Sequence, residues 1–318
     1  MRAIAFDGSA VRLETDRAEP RPAPGEVLVR VSRAGVCETD LQILAGYHRF
    51  RGVLGHEFVG TALGGAFDGR RVVGEINCSC WACDTCTVSG HPGHCPHRTV
   101  IGIVGRDGAF ADLVGVPERN LHVVPDAIDD DTAVFTEPVA AAFQIPTQLD
   151  IRQDHRVVVL GDGRLGNLCA QVLASVSDHV LVVGKHLTKL EILRRMGIET
   201  RLLAATPNAP DRTADIVVDC TGSPTGLPAA LALVRPRGTI VLKTTIAGEH
   251  SLSLAPVVVD EVTMVGSRCG PFDRALDALA HGLVDVRPLI SDRFRLSDGV
   301  HALERARAPG VLKVLIEP

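Results

Sequence analysis

The chain has 318 residues, 46% of them hydrophobic and 22% charged, with a formal net charge of -5. That length suits one large or two medium domains with a sizeable core, and the mildly acidic balance argues against a nucleic-acid or anionic-membrane binder. No apolar run reaches the eighteen or so residues of a membrane span, and the opening MRAIAFDG lacks a secretory pattern, so a soluble cytoplasmic protein is the expectation.

The first 125 residues read as strands and turns. Ile4-Ala-Phe6 and Val11-Arg-Leu13 flank Asp7-Gly-Ser9, a hairpin signal, and the segment from Glu26 to Ser32 alternates apolar and polar residues at period two. Prolines 20, 22 and 24 before Gly25 mark an extended connection. After Cys37 a short helix is expected, with Leu41, Leu44 and Ala45 on one face. A longer helix is expected from Asp131 to about Leu149, crossed by Pro146.

From Val157 strands and helices alternate. Strands are expected at 157–160, 180–183, 216–219, 238–242 and 263–266, and helices at 165–176 and 188–196. Thr188-Lys-Leu-Glu191 has the form of a capping box and Gly197 that of a C-terminal stop. A β-α-β-α order specifies a parallel sheet covered on both faces. After about Arg287 the chain returns to short strands around a helix at 296–306 and ends in Val311-Leu-Lys-Val-Leu-Ile316. The fold class is α/β, with one domain β-rich and the other doubly wound.

Three groups of residues carry chemistry. Gly161-Asp-Gly163-Arg164-Leu165-Gly166 follows a strand and opens a helix. Glycines there allow a tight turn and close approach of a pyrophosphate to the helix N-terminus. A purely structural glycine turn is the bland alternative. At the end of the second strand, where an acidic residue would select NAD, the chain has Gly184-Lys185-His186 with Lys189 one turn on. Two of the four lysines thus stand where a 2′-phosphate would lie, which points to NADP, with NAD possible. Solvated helix-start lysines are the alternative.

The second group is Cys80, Cys83, Cys86 and Cys95, four thiols at metal-clip spacing. Zinc favours such a tetrahedron, and an all-sulfur set leaves no open position, so the site would be structural. Cys78, His91, His94 and His97 are further candidate ligands, and free cysteines in a loop are the alternative. The third group is dispersed: Cys37-Glu-Thr39-Asp40, Gly55-His56-Glu57 and Glu137-Pro138. Singly, each residue reads equally well as a buried cysteine, a core histidine or a helix-start glutamate.

Together with Gly69-Arg-Arg-Val, Asp219-Cys-Thr221-Gly222 and Pro236-Arg-Gly238-Thr, these segments make the chain resemble the zinc-dependent medium-chain dehydrogenase/reductase family, its alcohol, sorbitol and threonine dehydrogenase group. The resemblance implies a GroES-like catalytic domain (1–124 and 288–318) and a Rossmann dinucleotide domain (125–287), with the active site between them. It implies catalytic-zinc ligands Cys37 and His56, with Glu137 or Glu57 as a further one. Thr39 would relay the substrate proton and Asp40 would hold His56. Gln42 replaces a relay histidine of some members, leaving His48 as the candidate proton exit. Cys80, Cys83, Cys86 and Cys95 match the structural zinc lobe. The glycine turn, Gly184, Lys185, His186, Lys189 and Thr221 match the cofactor site. The activity implied is hydride transfer between a secondary alcohol or polyol and NADP, or the reverse carbonyl reduction, in a dimer or tetramer. A zinc-independent reductase and a non-catalytic NADPH-binding redox sensor are the competing readings.

Overall fold

The computed structural model describes residues 1–47, 49–205, 212–244 and 253–318; His48 lies outside them. The chain divides into two compact units: Met1–Glu137 with Ala275–Ala280 and Leu289–Pro318, and Pro138–Arg274 with His281–Pro288. Residues 125–137 therefore go with the first unit rather than the second. Side chains explain this: Asp131 pairs with Arg33 at 2.7 Å and Asp130 with Arg71 at 2.9 Å, while Phe135 is fully buried with the Lys313 ammonium 5.3 Å from its ring centre.

In the first unit the period-two pattern becomes half-buried strands. Glu26–Gly35 buries Val27, Val29 and Val31 in a core shared with Phe58, Val114 and Leu303. The main sheet runs Leu121–Val123, Arg71–Gly74, Glu57–Leu63, Glu26–Gly35, Lys313–Glu317, Ile290–Arg295, with Leu113–Pro117 also paired to Glu26–Gly35. The register sets Gly35 opposite Glu57 on one side and opposite Leu315 on the other. The last strand of the chain thereby lies beside its early segments, which no local pattern could announce. The expected hairpin is present as Ala3–Phe6 and Val11–Glu14.

Two helix expectations are corrected. The span from 131 to 149 is two helices, Asp130–Ala133 and Thr136–Gln148, with Pro146 inside the second. The Asp129 side chain caps the first by accepting from Thr132 N at 2.8 Å. The helix expected at 188–196 is Leu187–Arg195, and His186 is its N-cap, so Thr188 lies inside the first turn and no capping box forms. Gly197 does end that helix, at φ +80.

The second unit has a six-stranded parallel sheet in the order Glu199–Leu202, His179–Gly184, Arg156–Leu160, Ala214–Asp219, Val234–Leu242, Thr263–Gly266. The first of these strands escapes the hydrophobic pattern because Glu-Thr-Arg-Leu at an edge is only half-buried. Chain order reverses at Arg156–Leu160, the switch point where α/β sheets bind ligands beyond their strand ends. No helix among the described residues is long and apolar enough to cross a membrane.

Candidate functional site

Cys37 caps the short helix Glu38–Leu44 and is half-buried, while His56 and Glu57 sit at the start of the Glu57–Leu63 strand, 2% and 1% exposed. The turn before them needs glycine: Gly55 has φ +93, and a methyl there would meet the Phe110 ring at 2.4 Å. The result is that the Cys37 sulfur, a His56 ring nitrogen and a Glu57 carboxylate oxygen all lie within 4.8 Å of one another. Glu137, in the first turn of Thr136–Gln148, is outside this set.

Asp40 organises the cluster. Fully buried, its carboxylate accepts from Cys37 N at 2.9 Å and Gly55 N at 3.2 Å, so it ties the two ligand-bearing segments together. One of its oxygens is 3.3 Å from His56 Nδ1, a buried nitrogen that closes no hydrogen bond of normal geometry. Burial disfavours the imidazolium at His56, yet Asp40 and then Cys37 outweigh it and hold its pKa well above the ordinary value. Thr39 Oγ1 is 3.7 Å from the Cys37 sulfur, within the same pocket of polar groups.

Lys313, which the sequence reading passed over, completes the picture. It is 2% exposed, and its ammonium donates to Glu57 Oε2 and, at 3.3 Å, to Val36 O. Gly35 makes room for this pair, since a methyl there would stand 2.6 Å from Glu57 Oε2 and 3.5 Å from the Lys313 nitrogen. A signal existed: one lysine interrupts the apolar run Val311 to Ile316 in a chain with few lysines.

The four lobe sulfurs form a second set within 4.8 Å. Cys80 to Cys95 is 3.4 Å, Cys83 to Cys86 is 3.6 Å and Cys83 to Cys95 is 3.8 Å. Zinc–sulfur bonds of about 2.3 Å in a tetrahedron require edges of roughly 3.8 Å, so the lobe fits zinc. Thiols this close cannot all ionise without a cation among them. Cys80 is pulled down to about 6 by the Ala82 N–H and the Cys95 thiol, while Cys86 is pushed up to about 12 by burial and then by Cys83. Cys78 stands apart, buried, with its thiol raised to about 11, and His91, His94 and His97 are outside the set.

In the second unit Gly161 takes φ +112, and a methyl there would meet Cys220 O at 2.6 Å; one at Gly166 would meet Gly161 O at 2.1 Å. Gly163 is the N-cap of the helix Arg164–Ala174 and has open space at its Cα, and Arg164 and Leu165 form the first turn. Asp162, also overlooked in the sequence, is buried and accepts from Lys185 N at 2.7 Å and His186 N at 2.6 Å. Gly184 is what lets it in, since a methyl there would lie 2.5 Å from its carboxylate. Lys185 and His186 are exposed beyond the strand end, and Lys189 is half-buried. Thr221 turns its hydroxyl to Asp219 at 2.7 Å and accepts from Ser223 N at 3.2 Å, so it shapes the loop beside the glycine turn.

Family models match over two stretches, an alcohol dehydrogenase GroES-like domain at residues 23–126 and a zinc-binding dehydrogenase at 165–281. A sorbitol dehydrogenase of Halalkalibacterium halodurans is 28% identical, the alignment covering 95% of this chain and 94% of that protein. Among solved structures, a zinc-binding dehydrogenase from Sinorhizobium meliloti 1021 bound to NADP superposes with a TM-score of 0.90 at 26% identity, covering 100% of this chain and 99% of the other. An alcohol dehydrogenase from Escherichia coli CFT073 complexed with NADH does so with 0.91 at 27%, at the same coverage.

Proposed function

The chain belongs to the zinc-dependent medium-chain dehydrogenase/reductase family, and from that premise we propose that it is a dehydrogenase interconverting a secondary alcohol or polyol and its carbonyl form with NADP(H). The observation that carries this reading is the convergence of Cys37, His56 and Glu57, whose donor atoms lie within 4.8 Å of one another. A zinc-independent reductase would have no use for that donor set. Zinc supplies, when bound there, a Lewis acid for the substrate oxygen, and the nicotinamide supplies the hydride carrier.

The chain's own residues do the rest. Cys37, His56 and Glu57 hold the metal; Asp40 fixes the His56 ring by its carboxylate, as buried carboxylates beside metal-bound imidazoles do. The Thr39 hydroxyl, next to the Cys37 sulfur, accepts the substrate hydroxyl proton at its Oγ1 and donates its own onward. Lys313 balances the charge of Glu57 and keeps its carboxylate at the donor set. Cys80, Cys83, Cys86 and Cys95 hold a second, structural zinc. At the glycine turn, the N–H groups opening Arg164–Ala174 receive a pyrophosphate, and Lys185 with Lys189 receive a 2′-phosphate.

The favoured substrate class follows the relatives and the carboxylate in the donor set. Purified protein is expected to contain two zinc ions per chain and to reduce or oxidise members of a polyol and secondary-alcohol panel, faster at low NADP(H) than at equal NAD(H). One zinc per chain, or no turnover with either nucleotide across that panel, would overturn the reading.

A further inference from the structure

The glycine turn has two thiols behind it that the dehydrogenase chemistry does not use. Cys169 lies on the helix Arg164–Ala174, one turn after Gly166 and so on the same face, and is fully buried. Cys220 follows the strand Ala214–Asp219 and is partly exposed. Their sulfurs are 3.8 Å apart. The same Cys220 lines the turn itself: its carbonyl backs Gly161, and its Cβ lies 3.6 Å from where a methyl on Gly166 would be.

We propose that Cys169 and Cys220 are a peroxide-oxidisable dithiol, and that their disulfide lowers the affinity of the glycine turn for the dinucleotide. The inference rests on the dinucleotide reading of that turn. Geometry supplies the reason for the coupling. A disulfide needs sulfurs about 2.05 Å apart, so they must close by roughly 1.8 Å. The backbone around Gly161, Gly166 and Cys220 is close-packed, because even a methyl on either glycine would overlap backbone atoms there. Whatever part of that closure the backbone takes up moves the helix start against the 220–222 loop, and with it the N–H groups that would face a pyrophosphate.

The reactivity is also built in. The Cys220 thiol donates to the Cys169 sulfur, which with the nearby Lys243 ammonium draws Cys169 below the ordinary thiol range against the effect of burial. Cys220, which holds the proton of that bond, is pushed well above the ordinary range by the bond to Cys169 and then by burial, so the thiolate character of the pair lies on Cys169. The Cys169 thiolate attacks hydrogen peroxide, the O–O bond breaks, and Cys169 sulfenic acid and hydroxide form. The Cys220 thiol then attacks the sulfenic sulfur; the S–S bond forms, the S–O bond breaks, and water leaves with the thiol proton. Two thiol sulfurs are oxidised by two electrons in all and one peroxide is reduced.

The test uses the zinc-loaded full chain, treated with stoichiometric hydrogen peroxide, alkylated and digested for peptide mass spectrometry, with NADPH and NADH titrated before and after. The expected result is a Cys169–Cys220 linked peptide and a rise of about tenfold or more in the NADPH dissociation constant, reversed by dithiothreitol. By linkage, saturating NADPH should protect the pair from oxidation in a thiol–disulfide buffer. Cys169→Ala, or Cys169→Ser should the alanine variant fold poorly, should bind NADPH normally when reduced and lose the peroxide response. Absence of the linked peptide, or its formation with NADPH affinity unchanged, overturns the proposal. A reduced protein that binds neither nucleotide overturns the dinucleotide reading on which it rests, a failure that the linked peptide does not share.

Discussion

The two sulfur-bearing clusters of the first unit are built on opposite principles. The four lobe cysteines come from one stretch of sixteen positions, 80 to 95, and the chain turns there, at a short helix Asp84–Thr87 and a 3-10 turn Pro92–His94, do little except bring sulfurs together. The Cys37, His56 and Glu57 set draws instead on a helix cap, a glycine turn and a strand end, and it is supported by Asp40 from below and by Lys313 from the far end of the chain. A clip of the first kind depends on its metal for its shape. A site of the second kind is shaped by the fold itself.

That contrast can be broken at several points. Cys37→Ser should lower kcat by roughly three orders of magnitude, the several kcal/mol that a Lewis acid contributes, and reduce zinc from two ions per chain to one while the melting temperature changes little. Cys83→Ser should do the reverse, losing one zinc and much of the thermal stability while the folded fraction retains turnover. Equal loss of activity in both would show that the lobe is not merely structural. Both are read by metal analysis, calorimetry and steady-state rates.

Lys313→Met leaves the Glu57 carboxylate buried without its partner. Such a break costs about 3–5 kcal/mol, and denaturant unfolding of the metal-stripped protein should show it. Zinc should restore part of the loss, because Glu57 then faces a cation. A loss of equal size with and without zinc would place Glu57 outside the metal's reach.

Asp40→Asn keeps the shape but removes the charge beside His56, and loss of such a partner costs about 10- to 100-fold in metal affinity or activity. Competition with a zinc chelator measures it. The smallest effect is expected at the exposed end of the second unit: Lys185→Ala with Lys189→Ala should raise KM for NADPH by about tenfold, on the order of one charged contact, with KM for NADH unchanged. An equal change for both nucleotides would remove the 2′-phosphate from the account.

Much of this was legible in the residues alone. Spacing shows the lobe, because four thiols within one loop have few other uses, and the 161–166 turn announces itself by standing between a strand and a helix. Local pattern failed where neighbours in space decide. Thr188 looks like a helix cap, yet Asp162 from another loop takes the N–H groups of Lys185 and His186, and His186 caps a helix that begins at Leu187 instead. The expected 131–149 helix is instead two, Asp130–Ala133 capped by Asp129 and Thr136–Gln148.

The sequence by itself determined the fold class, the glycine turn at 161–166 between a strand and a helix, and the cluster of four lobe thiols, since each is written in residues near one another along the chain. That the Glu57 carboxylate lies beside Cys37 and His56 was a tertiary decision. Strand register sets Gly35 between Glu57 and the C-terminal strand, and only there can a lysine from position 313 hold a glutamate at position 57 in place. A buried charge needs a partner wherever the chain can supply one, and that requirement is met across space.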